Sequence, residues 1–389
     1  MARLGNYIEQ IRGVSYKPED VCSANDLDAI AILRANNIQD DGLNFDDLVF
    51  VKKNKVSNSQ LLRKGDIVVC ASSGSKNLVG KAAITKENME MSFGAFCKVV
   101  RAKTITAKYL GHYFQSPAYR NRISDLSSGA NINNIRNEHI DELDLLVPEK
   151  EIQVEISVKL DKLCDLISKR KEQLEKLDLL VKSRFIEMFG DPETNPMGWL
   201  KETLCNHLNV VGGYAFKSEL FVEEGIPVLR IGNINAGFFQ PINMVYWKHD
   251  DNLSRYMMYA GDLVMSLTGT VGKDDYGNVC ILGDDYDCYY LNQRNAKLEL
   301  FKSLDKYYLS QILKFSAIKK KLTGISRGVR QANISNKDIL NLEIPIPPIE
   351  LQNEFATFVE QTDKSKSAVQ QSLEKLETLK KSLMQKYFG

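Results

Sequence analysis

The sequence predicts an α+β chain with a duplicated, pseudo-twofold architecture. Two α/β domains are each followed by a long helix, and the two helices pair as an antiparallel two-helix coiled-coil rod separating the domains. Three observations lead there: landmarks that recur at a fixed offset, a shared order of strand-like and helix-like runs, and two heptad stripes.

The repeat is seen first at the ends of the two copies. Phe189-Gly190 and Phe388-Gly389 stand 199 residues apart, and the same offset joins Gln153 to Gln352, Pro148 to Pro347, Leu143 to Leu342, Asn134-Ile135 to Asn333-Ile334 and Gly129 to Gly328. Upstream the offset becomes 196, joining Leu33-Arg34 to Leu229-Arg230 and Gly65-Asp66 to Gly261-Asp262. So many pairs in fixed order indicate two copies of one unit, and the period is far longer than the roughly 20–50 residues of a solenoid repeat.

Each copy opens with short strand-like runs broken by Gly, Asn and Asp. In the first these are 48–51, 66–72 and 96–102; in the second, 226–231, 262–267 and 278–283. A helix-like stretch follows, Lys108–Ile123 in one copy and Lys306–Leu322 in the other. A Gly/Asn-rich loop, a last short strand and a long helix complete the unit. The predicted boundaries are 1–148 for the first domain, 149–190 for its helix, 191–346 for the second domain and 347–389 for the second helix.

No Pro or Gly interrupts Glu149–Met188, and prolines precede both long helices, as suits helix starts. Positions step by four and three along Ile156, Leu160, Leu163, Ile167, Arg170, Leu174, Leu177 and Val181, all apolar but Arg170. The second stripe runs through Phe355, Val359, Val369, Leu373, Leu376 and Leu383, with Lys366 and Lys380 among its polar interruptions. Both are coiled-coil patterns, and the interrupting lysines suit fixing register or facing a partner. About 40 residues at 1.5 Å rise span roughly 60 Å.

Composition narrows the function. Lys+Arg number 51 and Asp+Glu 50, a net charge of +1, which excludes a basic tail and an acidic disordered one but not a locally basic face. The seven cysteines form no CxxC pair, so neither a zinc ribbon nor a disulfide framework is expected, and a reducing, cytoplasmic setting fits. No signal-like or membrane-length apolar run is present, so no membrane association is expected. No dinucleotide or P-loop glycine pattern and no Asn/Asp-Pro-Pro-aromatic tetrapeptide appears. The four histidines lack metal spacing. The chain is therefore expected to hold no catalytic residues, no metal and no cofactor of its own.

What the sequence does offer is donors for nucleic acid. Lys319, Lys320, Lys321, Arg327 and Arg330 fall in one acid-free run followed by Gln331. Basic groups suit phosphates, while Arg, Gln and Asn carry the forked donors that read base edges. The first copy places Arg120, Arg122, Asn131, Asn133 and Arg136 in the same region. Arg34 and Asn36, matched by Arg230 and Asn233, form a second pair of candidates, although Arg34 and Arg230 equally suit pairing with Asp66 and Asp262. Lys76 and Lys273 end two matched Ser/Thr/Gly turns that suit a phosphate backbone. The aromatic cluster Tyr214, Phe216, Phe238, Phe239, Tyr246 and Trp247 reads as core rather than as a base-stacking platform.

The second copy carries Gly328, Gln331, Asn333, Ile334, Ile339, Leu342, Ile344, Pro345, Ile346, Pro347, Pro348 and Gln352 ahead of a long helix ending in Phe-Gly. The first carries Gly129, Asn134, Ile135, Ile140, Leu143, Val147, Pro148 and Gln153, with Glu149 in place of the second proline and Ile132 opposite Gln331. In this the chain resembles, over essentially its whole length, the DNA specificity subunits of type I restriction-modification systems. The resemblance implies two target-recognition domains, each reading half of a bipartite duplex site, with the helical rod setting the spacer. It also implies two modification (methyltransferase) subunits as partners, which bind S-adenosylmethionine and methylate adenine N6. Motor-nuclease restriction subunits would join them and use ATP and Mg. The competing reading is a non-catalytic coiled-coil scaffold without DNA recognition; the matched basic loops weigh against it.

Overall fold

The computed structural model describes residues 2–389 except 41, 76–77, 130–133, 236, 271–274 and 325–330, and leaves the side chains of 126–129 and 331 undescribed. The chain divides into two compact units, Met1–Glu172 with Gln370–Gly389, and Gln173–Val369.

In the first unit, the Val-rich segment Ile67–Cys70 is buried at every position and lies inside a four-stranded antiparallel sheet. The strand order is Ile8–Arg12, Cys97–Ala102, Ile67–Cys70, Ala82–Ile84. A three-stranded sheet of Val49–Lys52, Ala29–Leu33 and Met91–Phe93 joins it, with the last pair parallel. Gly13 follows the first strand because a Cβ there would overlap the carbonyl of Gly94. The continuous helix expected over 108–123 is two helices, Ala107–Phe114 and Pro117–Gly129. The break has a local cause: Ser116 Oγ donates to the Tyr113 carbonyl at 2.6 Å and accepts from Tyr119 N at 3.3 Å, and Pro117 restarts the helix without an amide to satisfy.

The second unit has a four-stranded antiparallel sheet in the order Leu208–Gly212, Asn295–Leu300, Leu263–Ser266, Val279–Ile281. Beside it lies a sheet of Val245–Trp247, Ile226–Leu229, Tyr289–Leu291 and Met257–Met258. Its helical stretch is also broken, into Lys306–Leu313 and Ser316–Thr323. Of the aromatic cluster, Phe216 packs on Trp247 at 5.1 Å and Phe239 on Tyr289 at 5.3 Å, while Phe238 is exposed.

The long helices are Lys150–Phe189 and Ile349–Phe388. Ile156, Leu160, Leu163, Ile167, Val181, Phe355, Val359, Val369 and Leu373 are buried, and Leu174, Leu177, Leu376 and Leu383 are half-buried. Each unit takes one end of each helix. In the first, Lys171 pairs with Glu377 at 3.3 Å. In the second, Asp178 pairs with Lys366 at 2.6 Å and Arg184 with Glu354 at 3.2 Å, so these segments run antiparallel. Lys366, which interrupts the apolar stripe, thus pairs with the facing helix, and also with Asp363 on its own at 3.5 Å.

The helix ends complete the domain cores. Phe388 and Met384 join Ile156 and Leu160 in the first unit's core, with Phe388 5.1 Å from the Tyr109 ring. Phe185 and Phe189 join Phe355 in the second, with Phe189 4.9 Å from Tyr308. Burying one such ring contributes about 1.5–3 kcal/mol. The two recurrent glutamines bolt helix to domain. Gln153 Oε1 accepts from Thr106 N at 2.8 Å, and its Nε2 donates to the Pro148 carbonyl at 2.8 Å. Gln352 accepts from Asp305 N at 2.9 Å and donates to the Pro347 carbonyl at 2.8 Å. Tyr109 and Tyr308 add hydroxyl bonds to the carbonyls of Leu146 and Pro345, at 2.8 and 2.7 Å.

Candidate nucleic-acid interface

The Leu-Arg…Asn segments fold into the same capped turn in both units. Arg34 N donates to Asn37 Oδ1 at 2.8 Å, and Asn37 Nδ2 donates to the Asp46 carbonyl at 2.8 Å. Arg34 Nη2 then bonds both the carboxylate and the carbonyl of Asp47, each at 2.7 Å. In the second unit Arg230 N donates to Asn233 Oδ1 at 2.9 Å, Asn233 Nδ2 donates to the carbonyls of Gln240 and Ile242, and Arg230 Nη2 donates to the Asn243 carbonyl. This corrects three of the sequence assignments. Asn233 is buried and spends its amide on the turn, so it is an anchor. Arg34 and Arg230 brace the loop that follows and do not pair with Asp66 or Asp262. Those carboxylates belong to Arg101, in a bidentate pair at 2.7 Å, and to Lys297 at 3.0 Å. Asn36 is exposed at the same turn, 3.4 Å from Asp47.

The polar loops reach the sheet through backbone pairing. In the first unit Asn134 bridges to Ser72, and Ile135 N donates to the Ala71 carbonyl at 2.7 Å. In the second, Gln331–Asn333 pairs antiparallel with Thr268–Thr270, and Ile334 N donates to the Leu267 carbonyl at 2.8 Å. The Ser/Thr/Gly turns and the residues that end the polar loops therefore meet in each unit. Gln331, which follows the basic run, has its backbone in this strand pair.

Lys319 is also corrected. It is buried, and its Nζ donates to Asn278 Oδ1 at 2.6 Å, beneath the helix rather than out towards a phosphate. Lys320 and Lys321 are exposed on the same helix, as are Arg122 and Arg136 in the first unit. Arg120 donates to the Val79 carbonyl at 3.1 Å. Lys76, Asn131, Asn133, Lys273, Arg327 and Arg330 lie outside the described residues.

Beside Asn137, at the start of a short helix of the first unit, sits a buried cation that the sequence did not flag. Lys98 Nζ donates to Gln10 Oε1 at 3.0 Å and Asn137 Oδ1 at 2.8 Å, and burial pushes its pKa down to about 8. In the second unit a cavity of about 380 Å³ opens between Ile231, Asn235, Thr268–Thr270, Asp275 and Arg294. Asp275 shapes its wall, accepting from Thr270 N at 2.8 Å and Thr270 Oγ1 at 2.9 Å. Arg294 is exposed at the lip, a lone arginine in a turn that no sequence pattern marks. Among the described residues, no group of His, Cys, Asp or Glu is placed to hold a metal ion, and no helix is long and apolar enough to cross a membrane.

A family model described as the type I restriction modification DNA specificity domain matches twice, over residues 15–176 and 202–378. The chain belongs to this family. It is a DNA specificity subunit, not a catalytic one, and the reading as a scaffold without DNA recognition falls away. It is 32% identical to the type I restriction enzyme EcoKI specificity subunit of Escherichia coli (strain K12), over 97% of this chain and 86% of that one. It is 44% identical to the StySPI specificity subunit of Salmonella potsdam, over 44% of this chain and 37% of that one. The crystal structure of the S subunit from M. genitalium superposes with a TM-score of 0.59 at 16% identity, covering 100% of this chain and 95% of that one, which speaks for the fold.

Proposed function

We propose that each unit of this specificity subunit reads one half of a bipartite duplex DNA target and that the two long helices set the spacer between the halves. The observation that carries this is the matched edge: in each unit a Ser/Thr/Gly turn is tied by backbone bonds to the end of a loop that carries Gly and side-chain amides. The duplicated architecture, with domains at 1–148 and 191–346 and helices at 149–190 and 347–389, belongs to the same reading. Continuous 40-residue helices support it, since a rigid rod suits a ligand that is itself periodic.

The partners are two modification subunits, which bring S-adenosylmethionine and methylate adenine N6, and motor-nuclease subunits, which bring ATP and Mg; the setting is cytoplasmic. Support for docked partners comes from the outer face of the first long helix, where Ile152, Val154, Val158, Leu166, Leu179, Leu180 and Ile186 are exposed. The test is selection from a randomised split-site duplex library by the chain assembled with its modification subunits. Two half-sites at one fixed gap are expected. Removing a heptad from each helix, 163–169 and 362–368, should shift that gap by roughly 10 Å, or about three base pairs. Recovery of no sequence preference, or an unchanged gap in a folded double deletion, refutes the reading.

A further inference from the structure

In both units the turn leading into the long central strand is held hard against the polar edge. In the first, the Phe96 carbonyl accepts from Ala71 N and Ser72 N, both at 2.9 Å, while Cys97 N donates to the Gly94 carbonyl at 2.8 Å. In the second, the Arg294 carbonyl accepts from Leu267 N at 2.9 Å, and Asn295 N donates to the Asn292 carbonyl at 2.9 Å. The backbone support is thus alike, and each tip is fixed to the residue, Ala71 or Leu267, that also accepts from Ile135 N or Ile334 N. The side chains differ completely. Phe96 is 70% exposed, whereas the second tip carries Gln293 and Arg294, both exposed.

Arg294 differs from the arginines of the capped turns. Arg34 and Arg230 are tied to Asp47 and Asn243. The guanidinium of Arg294 makes no hydrogen bond or ion pair among the described residues, and it lines the cavity. Across that cavity Asn235 has a buried side-chain oxygen with no hydrogen-bond partner among the described residues. A buried acceptor left without a donor marks a place where a ligand's donor fits. A fork of donors and an orphan acceptor together match the major-groove edge of a G·C pair, where guanine O6 and N7 accept and the cytosine N4 amine donates, rather than a phosphate.

We propose that Arg294 reads a guanine in the half-site served by the second unit, donating to O6 and N7 in the major groove, and that Phe96 makes an apolar contact at the equivalent place in the first. This rests on the reading that each unit serves one half-site. The tip is then a specificity-determining position whose side chain changes while its backbone support does not. Arginine is suited to guanine because its planar fork matches two acceptors at once; a phenyl ring has no donor and suits a thymine methyl.

The experiment uses the full chain assembled with its modification subunits, the duplex selected by the wild-type complex, and that duplex with each base pair changed in turn. Arg294→Ala should lower the preference for guanine at one position of one half-site by about 10- to 100-fold, with the other half-site unchanged. Arg294→Lys should recover only part of it. Phe96→Ala should alter preference only in the opposite half-site. Both positions are exposed, so unchanged thermal unfolding is the expected control. Equal losses on all duplexes would make Arg294 a phosphate contact and overturn the assignment, as would an unchanged profile or a loss centred on an A·T pair. If the wild-type complex selects no bipartite site at all, the underlying reading fails as well; if it does and the variants match it, only the tip assignment falls.

Discussion

The two units agree where they meet the long helices and diverge at the far edge of their sheets. At the helix junction the groups are the same: Gln153 and Gln352 bridge helix to domain, Tyr109 and Tyr308 bond the chain before the helix, and Phe388 and Phe189 close the cores. On the central strand the correspondence already loosens. Cys97 faces Cys70 in one unit, where Asn295 faces Ser266 in the other. Lys98 occupies the place of Ala296. At the turn the side chains share nothing. Likeness between the two units is thus greatest at positions that pack on the long helices and least at the exposed tip.

The largest effect that would break this comparison is at the junction. Phe189→Ala should cost the second unit about 3–5 kcal/mol, seen as faster amide exchange across Gln173–Val369. Phe189 is 3% exposed and meets the rings of Phe185, Tyr308 and Phe355. Phe388→Ala, at 8% exposed and meeting the rings of Tyr109 and Tyr113, should cost the first unit less. Reversed magnitudes would mean that the junctions are not equivalent.

Next come the glutamines. Gln352→Leu strands the amide of Asp305, and Gln153→Leu that of Thr106. Each should cost about 1–3 kcal/mol in denaturant unfolding. Near-equal losses would confirm a shared bolt; a loss in one unit alone would break the symmetry.

A smaller difference concerns Lys98. Its folded pKa is lowered to about 8 from an ordinary 10.5, chiefly by burial. Between those values the unfolded chain holds more protons, so this lysine's contribution makes stability rise with pH across about 8 to 10.5. Buried Cys70 and Cys97, pushed up to about 11 and 12, act in the opposite sense above pH 9, so the informative quantity is wild type minus Lys98→Met. That difference should grow by on the order of 1–2 kcal/mol over the window. A flat difference would show the ammonium to be as well solvated as a surface one.

The smallest effect is at the helix surface. Lys320→Ala should weaken binding to all duplexes alike and reduce the salt slope by roughly one unit. Lys319→Ala should instead act through folding, because its charge is spent on Asn278.

The apolar stripes were readable because packing imposes spacing on sequence: the stripe residues are buried or half-buried throughout. The roles of Arg34, Arg230 and Asn233 were not, because capping a turn and reading a base call for the same residue types. Nor was Lys319, whose neighbours Lys320 and Lys321 are exposed while it turns inward. The helix break at Ser116 lay in a single hydroxyl, and Arg294 owes its importance to its neighbours in space, which no local pattern encodes.

The division of the chain also bears on how it is made. The second unit is one uninterrupted stretch, Gln173–Val369, whereas the first needs residues 370–389, including Met384 and Phe388, to finish its core. During synthesis, then, the domain translated first is completed last. At about 5–20 residues per second its open apolar seam waits roughly 10–40 seconds for those residues. Over that interval the nascent first domain is the part of the chain most exposed to chaperones, proteases and aggregation.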